Sequence, residues 1–312
     1  MRVDKLNRLR ATLDALLEGF PFPERLPSDP VSVLRQYSDP SDQEVAGLIA
    51  SCLALGRAAS IRAKSEAVLR EMGPSPGRFV RSFHPVRDRK RFDGWVHRWY
   101  KARDIVCLLW LVRQTLEKHG SLQQCFLHGC RGGESRDIGE AIGRFVEEIR
   151  SGTIEPVYPG GARSGHWRSL LPSPGSGSAC KRINLYLRWM VRPDDGIDVG
   201  TWQGVSPAML VIPIDIHTSR IARHLELTSR KSPGWAMAME VTRVLRRLDP
   251  ADPVKYDFLL CHLGMIGRCP WDRDLAACPG CRHWGRCLLP KKRRTAGSGS
   301  GSRSMYKKKS GP

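Results

Sequence analysis

The chain has 312 residues, 41% of them hydrophobic, which is enough to bury a sizeable core. No apolar run approaches the roughly 20 residues of a membrane-spanning helix, and the charged amino terminus has no export signal, so membrane and secreted classes are excluded. With 51 Lys and Arg against 31 Asp and Glu the net charge is +20, which points to a polyanionic partner, nucleic acid first, with a merely soluble basic surface as the alternative.

Val3, Leu6, Leu9, Leu13, Leu16 and Leu17 share one face and predict a first amphipathic helix, ended by Gly19 and the prolines of 21–30. The stretch DPSDQEVAGLIASCLALG predicts a second, with Asp caps and with Val45, Leu48, Ile49, Cys52 and Leu53 inward. Further helices are expected at 58–72, 76–83, 93–117 and 136–150. After a Gly- and Pro-rich loop at 151–178, others follow at 179–192, 215–225, 235–248 and 253–265. No run of alternating apolar residues marks a strand, so the expected fold class is all-α. Eight Lys and Arg and no acid follow Cys287, and the stretch 291–312 reads as a disordered, low-complexity basic tail.

In a cytoplasmic protein the ten cysteines stay reduced. Cys52, Cys107, Cys125, Cys180 and Cys261 sit at apolar or helical positions and read as small hydrophobes, while Cys130, in a Gly-rich loop, carries no clear signal. The other four form Cys269-x8-Cys278-x2-Cys281-x5-Cys287 within CPWDRDLAACPGCRHWGRC. Four thiolates in one short loop can close around a single metal centre, zinc or an iron–sulfur cluster. The single-loop arrangement favours iron–sulfur over the paired knuckles of a zinc ribbon.

The run FLLCHLGMIGRCPWDRDLAACPGCRHWGRC resembles the carboxyl end of endonuclease-III-type DNA glycosylases, in the helix-hairpin-helix superfamily. The resemblance implies a [4Fe–4S] cluster on Cys269, Cys278, Cys281 and Cys287, with zinc as the alternative, shaping a basic loop that includes Arg268. The segment IPIDIHTSRIARHL is similar to the one that follows the hairpin in that superfamily and puts its catalytic Asp on Asp215. Upstream, LLPSPGSGSACKRINLYLRWMVR supplies a Gly-containing hairpin followed by Lys181, matching the lysine of members that also cut the strand.

The pattern also departs from the superfamily. Lys181 comes four residues after Gly177 where most relatives have two, and Ser176 replaces the usual apolar residue. The 34-residue interval from Lys181 to Asp215 is long and contains RPDDGIDVGTWQGVSPAM. An extended interval and an altered hairpin also occur in archaeal 8-oxoguanine glycosylases. ALGR stands where endonuclease III relatives place a gap-filling Gln. Across roughly residues 35–268 the phrases around Asp39, Lys181 and Asp215 resemble, more closely still, a bacterial branch known mainly as a domain of unknown function.

Each residue also has a bland reading. Asp215 starts a helix and is an ordinary N-cap, and Lys181 alone is a solvated helix-start lysine. In the functional reading, Asp215 takes the proton of Lys181 and stabilises the charge that grows on the sugar. The neutral amine then attacks the anomeric carbon of a flipped-out nucleotide, and β-elimination from the Schiff base cuts the strand. Gly175, Ser176, Gly177 and Ser178 would approach phosphates, joined by His217, Arg220 and Arg268 as further DNA contacts. Trp189 and Trp202 are stacking candidates whose ordinary reading is packing.

The expected architecture is two helical lobes: a barrel at 38–192 carrying the hairpin, and a second lobe made of 1–37 and 193–290 with the four-cysteine loop. The expected function is excision of an oxidised base such as 8-oxoguanine from double-stranded DNA, with strand cleavage, by a monomer at the bacterial nucleoid. A monofunctional glycosylase and a non-catalytic DNA-binding iron–sulfur protein are the alternatives.

Overall fold

A computed structural model describes residues 2–130, 138–161 and 165–265. Among these the fold is all-α apart from one short hairpin, and no helix is long and apolar enough to cross a membrane. Helix α1 (Val3–Glu18) buries Leu6, Leu9 and Leu13 against a later helix, as their spacing requires. A short α2 (Phe22–Arg25) leads to the 3-10 segment Pro30–Gln36, capped by Asp29, whose carboxylate accepts from the Val31 N–H at 3.0 Å.

Helix α3 (Pro40–Cys52) is the hub. It is buried along both polar and apolar residues from Val45 to Cys52, and it packs on Pro30–Gln36 and on neighbouring helices. Asp39 caps its start, accepting from the Ser41 N–H at 2.8 Å. Next come α4 (Ala58–Met72), α5 (Pro76–Ser82) and α6 (Pro85–Asp88). Asp42 of α3 holds the start of α5, accepting from Ser75 Oγ at 2.8 Å and the Gly77 N–H at 2.7 Å.

The helix expected at 93–117 begins only at Ala102. Before it, β1 (Val96–His97) and β2 (Tyr100–Lys101) pair antiparallel, Val96 against Lys101 and His97 against Tyr100. The two-residue turn between them, Arg98–Trp99, lacks the usual Gly or Asn, which hides it from sequence reading. Helix α7 (Ala102–His119) follows, then α8 (Leu122–Cys130), which is not among the expected helices although Leu122, Cys125, Phe126 and Gly129 share its buried face.

After α9 (Gly139–Arg150) the chain runs through a loop with a 3-10 turn at Trp167–Leu170, then into α10 (Lys181–Val191), α11 (Ile216–His224), α12 (Trp235–Leu248) and α13 (Asp257–Met265). Helix α10 lies close against α3 because Gly47 has no side chain: a Cβ there would meet Met190 Cε at 3.1 Å and Tyr186 Cε2 at 3.3 Å. Helix α11 lies on α13 for the same reason. A Cβ on Gly264 would meet His217 Cβ at 2.8 Å and the His217 backbone at 3.1 Å. Those two close approaches seat α10 on α3 and α11 on α13.

The stretch between α10 and α11 is a clasp over α10. The Val199 N–H donates to the Trp189 carbonyl at 3.0 Å, and the Trp202 N–H to that of Met190 at 2.8 Å. Trp202 Nε1 donates to Glu44 Oε1 at 2.7 Å. Both tryptophans considered for stacking, Trp189 and Trp202, are therefore core residues. Beneath the clasp, Arg188 pairs with Asp198 and Asp257, and Arg192 with Asp195, Asp198 and Asp252. A buried ionic cluster of this kind fixes the mutual geometry of its elements, because removing any one charge leaves the others uncompensated.

Candidate active site

The turn before α10 forms from its own backbone. Residues Pro174–Ser176 make one 3-10 turn, and the Gly177 N–H donates to the Pro174 carbonyl at 2.9 Å. Gly177 has φ of 74°, a left-handed conformation that glycine adopts without steric cost. Its carbonyl accepts from the Trp235 N–H at 3.2 Å, which ties the turn to the start of α12. Gly175, Ser176 and Gly177 are exposed, and Ser178 Oγ accepts from the Cys180 N–H at 3.2 Å. Cys180 ends the turn at φ of 48°, buried, with burial pushing its thiol up to about 11.

Lys181 is the first residue of α10. The packing of α10 on α3 aims it at the carboxyl end of α3, where its Nζ lies 3.4 Å from the Ala54 carbonyl. Its neighbour Arg182 donates to the Cys52 carbonyl at 3.1 Å and to the Tyr100 hydroxyl at 2.8 Å. His97 Nε2 donates to the Leu53 carbonyl at 3.1 Å. Three consecutive carbonyls at the negative end of the α3 dipole thus receive three donors, two of them cationic.

Asp215 is the N-cap of α11, as its position in the sequence predicts. One oxygen, Oδ1, accepts the N–H groups of His217 and Thr218, both at 2.8 Å. The other, Oδ2, faces Lys181 Nζ at 3.5 Å and Cys261 Sγ at 3.8 Å. The first distance is that of an ion pair, longer than a well-formed N–H···O bond. Burial pushes the Asp215 carboxyl up, but the Lys181 ammonium and the helix N–H groups outweigh it and hold the group below the ordinary carboxylate range. Asp215 is therefore ionised at neutral pH.

Cys261, read from sequence as a small hydrophobe, joins this group from α13. Burial and the Asp215 and Asp257 carboxylates push its thiol far above the ordinary range, so it remains S–H. No spacing in the sequence signals this role, because the contact depends on α11 and α13 closing over Gly264. His217 places a buried Nδ1 beside the pair with no hydrogen-bond partner among the described residues. Arg220 is buried and donates to the Gly264 carbonyl, so it ties α11 to α13. Arg268 and the metal-ligand candidates Cys269, Cys278, Cys281 and Cys287 lie outside the described residues.

Of the expected residues, the structure therefore brings Lys181, Asp215 and His217 together at the starts of two helices, with Gly175–Ser178 in the turn immediately before Lys181. A cavity of about 220 Å³ opens elsewhere, between Phe22, Phe258, Arg188 and Arg192 at the far end of α10, and does not include the pair.

No curated protein and no solved structure matches the chain. A family model does match, over residues 29–266, and it is described as a protein of unknown function, DUF2400. The expected membership in the helix-hairpin-helix glycosylase superfamily is thereby corrected: no glycosylase family model matches. The cysteine spacing and the segment around Asp215 suggested that membership, while the hairpin and the long interval before Asp215 already departed from its pattern. Because the match spans well over half of the chain and includes both Lys181 and Asp215, the protein belongs to the DUF2400 family.

Proposed function

We propose that the protein is a DNA-repair enzyme that excises a damaged base from double-stranded DNA and cleaves the strand through Lys181. The observation that carries this reading is the Lys181–Asp215 pair, with Nζ 3.5 Å from Oδ2, at the starts of two helices in a chain of net charge +20. The pair is partly buried, with side-chain exposures of 27% and 16%, so a substrate has access while the surroundings stay poorly hydrated.

The chemistry follows from the two groups. As a sugar enters and displaces water, the separated charges become harder to sustain, which favours transfer of the Nζ proton to Asp215. The neutral amine attacks C1′ of the deoxyribose. The C1′–N bond breaks, its electron pair leaves with the base, and the base takes up a proton. Opening of the sugar ring gives a Schiff base between Nζ and C1′. Loss of a C2′ proton then expels the 3′ phosphate by β-elimination.

In this reading the turn at Gly175–Ser178 is the hairpin of a helix-hairpin-helix element that approaches the phosphate backbone. The DNA lies between a lobe at 38–192 and one formed by 1–37 with 193–290, and the protein works as a monomer. Cys269, Cys278, Cys281 and Cys287 would hold a [4Fe–4S] cluster in the second lobe.

The test is borohydride trapping on duplexes that each carry one lesion, beginning with an oxidised purine such as 8-oxoguanine. A covalent adduct with one lesion, lost in Lys181→Gln, is the expected result. Release of free base with no adduct would remove the lysine from covalent catalysis and leave a monofunctional glycosylase. DNA binding with neither adduct nor base release across the panel would overturn the enzymatic reading.

A further inference from the structure

Trp99 is the one Trp, Tyr or Phe among the described residues that is exposed, at 49%. An indole carries a large flat apolar surface, and this one stands at the tip of a hairpin. The turn beneath it is held in an unfavourable form. Arg98 has φ of 58°, at the first turn position where such hairpins normally place glycine. Its guanidinium lies over Gly56, so close that a Cβ there would meet Nη2 at 2.8 Å.

The hairpin is also fastened to the Lys181 site. His97 donates to the Leu53 carbonyl, beside the Ala54 carbonyl that faces Lys181 Nζ. Tyr100, whose ring is 5.6 Å from that of Trp99, accepts from Arg182 at 2.8 Å. The tip is basic: the stretch 95–103 has Arg98, Lys101 and Arg103 exposed and no acid. His166 packs edge-on to Trp99 at 6.4 Å, and Arg168 is exposed close by in sequence.

We propose that Trp99 is a stacking platform for an unpaired nucleobase next to the nucleotide held at Lys181 and Asp215. Every base offers a π-face, and the flanking cations meet the phosphates, so a ring and its charges address one strand together. The inference rests on the DNA reading above but concerns binding, not the covalent step. Ile216, 70% exposed at the start of α11, also borders the pair but has no π-face, which makes it the natural control.

The experiment measures binding of full-length protein to two labelled duplexes by fluorescence anisotropy. One duplex is fully paired, and the other carries a stable abasic analogue opposite an unpaired base. Trp99→Ala and Trp99→Ser should weaken binding to the second duplex about ten-fold, with Trp99→Phe within about three-fold of wild type. Binding to the paired duplex and the salt dependence should not change, because no phosphate contact is lost. Thermal unfolding should fall by no more than a few degrees in the small variants and stay at the wild-type midpoint in Trp99→Phe, since about half of the side chain is exposed.

Equal affinity of wild type and both small variants for the abasic duplex would overturn the proposal. So would an equal loss on both duplexes, or a loss that follows Ile216→Ala in place of Trp99. The two readings separate cleanly. A lysine-dependent adduct together with no effect of Trp99 sinks only the stacking platform. A Trp99 effect with no adduct on any lesion sinks only the excision chemistry.

Discussion

Lys181 and Asp215 are 34 residues apart in the sequence, yet Lys181 Nζ lies 3.5 Å from Asp215 Oδ2, each residue at the start of its own helix. The two Asp215 oxygens divide the work. Oδ1 caps α11 and Oδ2 faces the lysine and the Cys261 thiol. Structural and chemical roles of one carboxylate can therefore be separated by substitution.

Asp215→Asn keeps an oxygen for the cap and loses the charge. Its unfolding midpoint should fall less than that of Asp215→Ala, because only the charge is lost, while borohydride trapping disappears. Asp215→Ala loses both, and should cost about 0.5–2 kcal/mol of stability in denaturant unfolding. Trapping retained in Asp215→Asn would show that the carboxylate is only a cap.

Gly264 and Gly47 should respond differently to alanine. At Gly264 the new Cβ meets His217 backbone, which cannot turn aside, so α11 must shift and carry Asp215 with it. A loss of about 1–3 kcal/mol is expected, together with a fall in trapping out of proportion to any change in DNA binding. At Gly47 the nearest atoms are side-chain ones, Met190 Cε at 3.1 Å and the Tyr186 ring at 3.3 Å, with no backbone in the way, so the cost should be the smaller of the two, under about 1.5 kcal/mol. Equal effects at both positions would contradict this account of the helix contacts.

Asp257 sets a pH dependence of unusual sign. Burial raises its carboxyl to about 6, although Arg188 pulls the other way. Between about 4, the ordinary Asp value, and about 6 the native state then holds a proton that the unfolded chain has released. This group's contribution to stability should fall as pH rises through that window and level off above it. Asp215, held low, contributes in the opposite sense: its stabilisation is present above the ordinary carboxylate value and is lost as pH falls through its native one. Thermal unfolding of wild type and Asp257→Asn from pH 4 to 7 tests this, with the difference between the two growing up to about pH 6 and constant above it.

The four clustered cysteines make a prediction of their own. Protein purified without oxygen should be brown, with broad visible absorption that Cys278→Ser and Cys281→Ser remove. A colourless protein with bound zinc by elemental analysis would replace the iron–sulfur assignment.

Much of the helical framework is legible in the residues. The caps at Asp39 and Asp215 and the apolar spacing of α1, α3 and α12 lead directly to the observed elements, since each signal is local. The β-hairpin was hidden because Arg98 and Trp99 occupy a turn that normally advertises itself with glycine or asparagine. Cys261 was hidden because its place depends on a contact between two helices, made possible by an absent side chain at Gly264. Trp202 is instructive in the other direction: the aromatic that looked available for stacking is buried against Glu44, while the one that is exposed lay within an expected helix.

The end of α3 has a consequence for how this site would look to mutagenesis. Lys181, Arg182 and His97 all grip main-chain oxygens of residues 52–54, which every side-chain substitution there leaves in place. An alanine scan through Cys52 and Leu53 would therefore report on core packing and pass over the grip itself. Replacing single amides with esters along this stretch would weaken one carbonyl acceptor at a time, and so expose a constraint carried by the backbone alone.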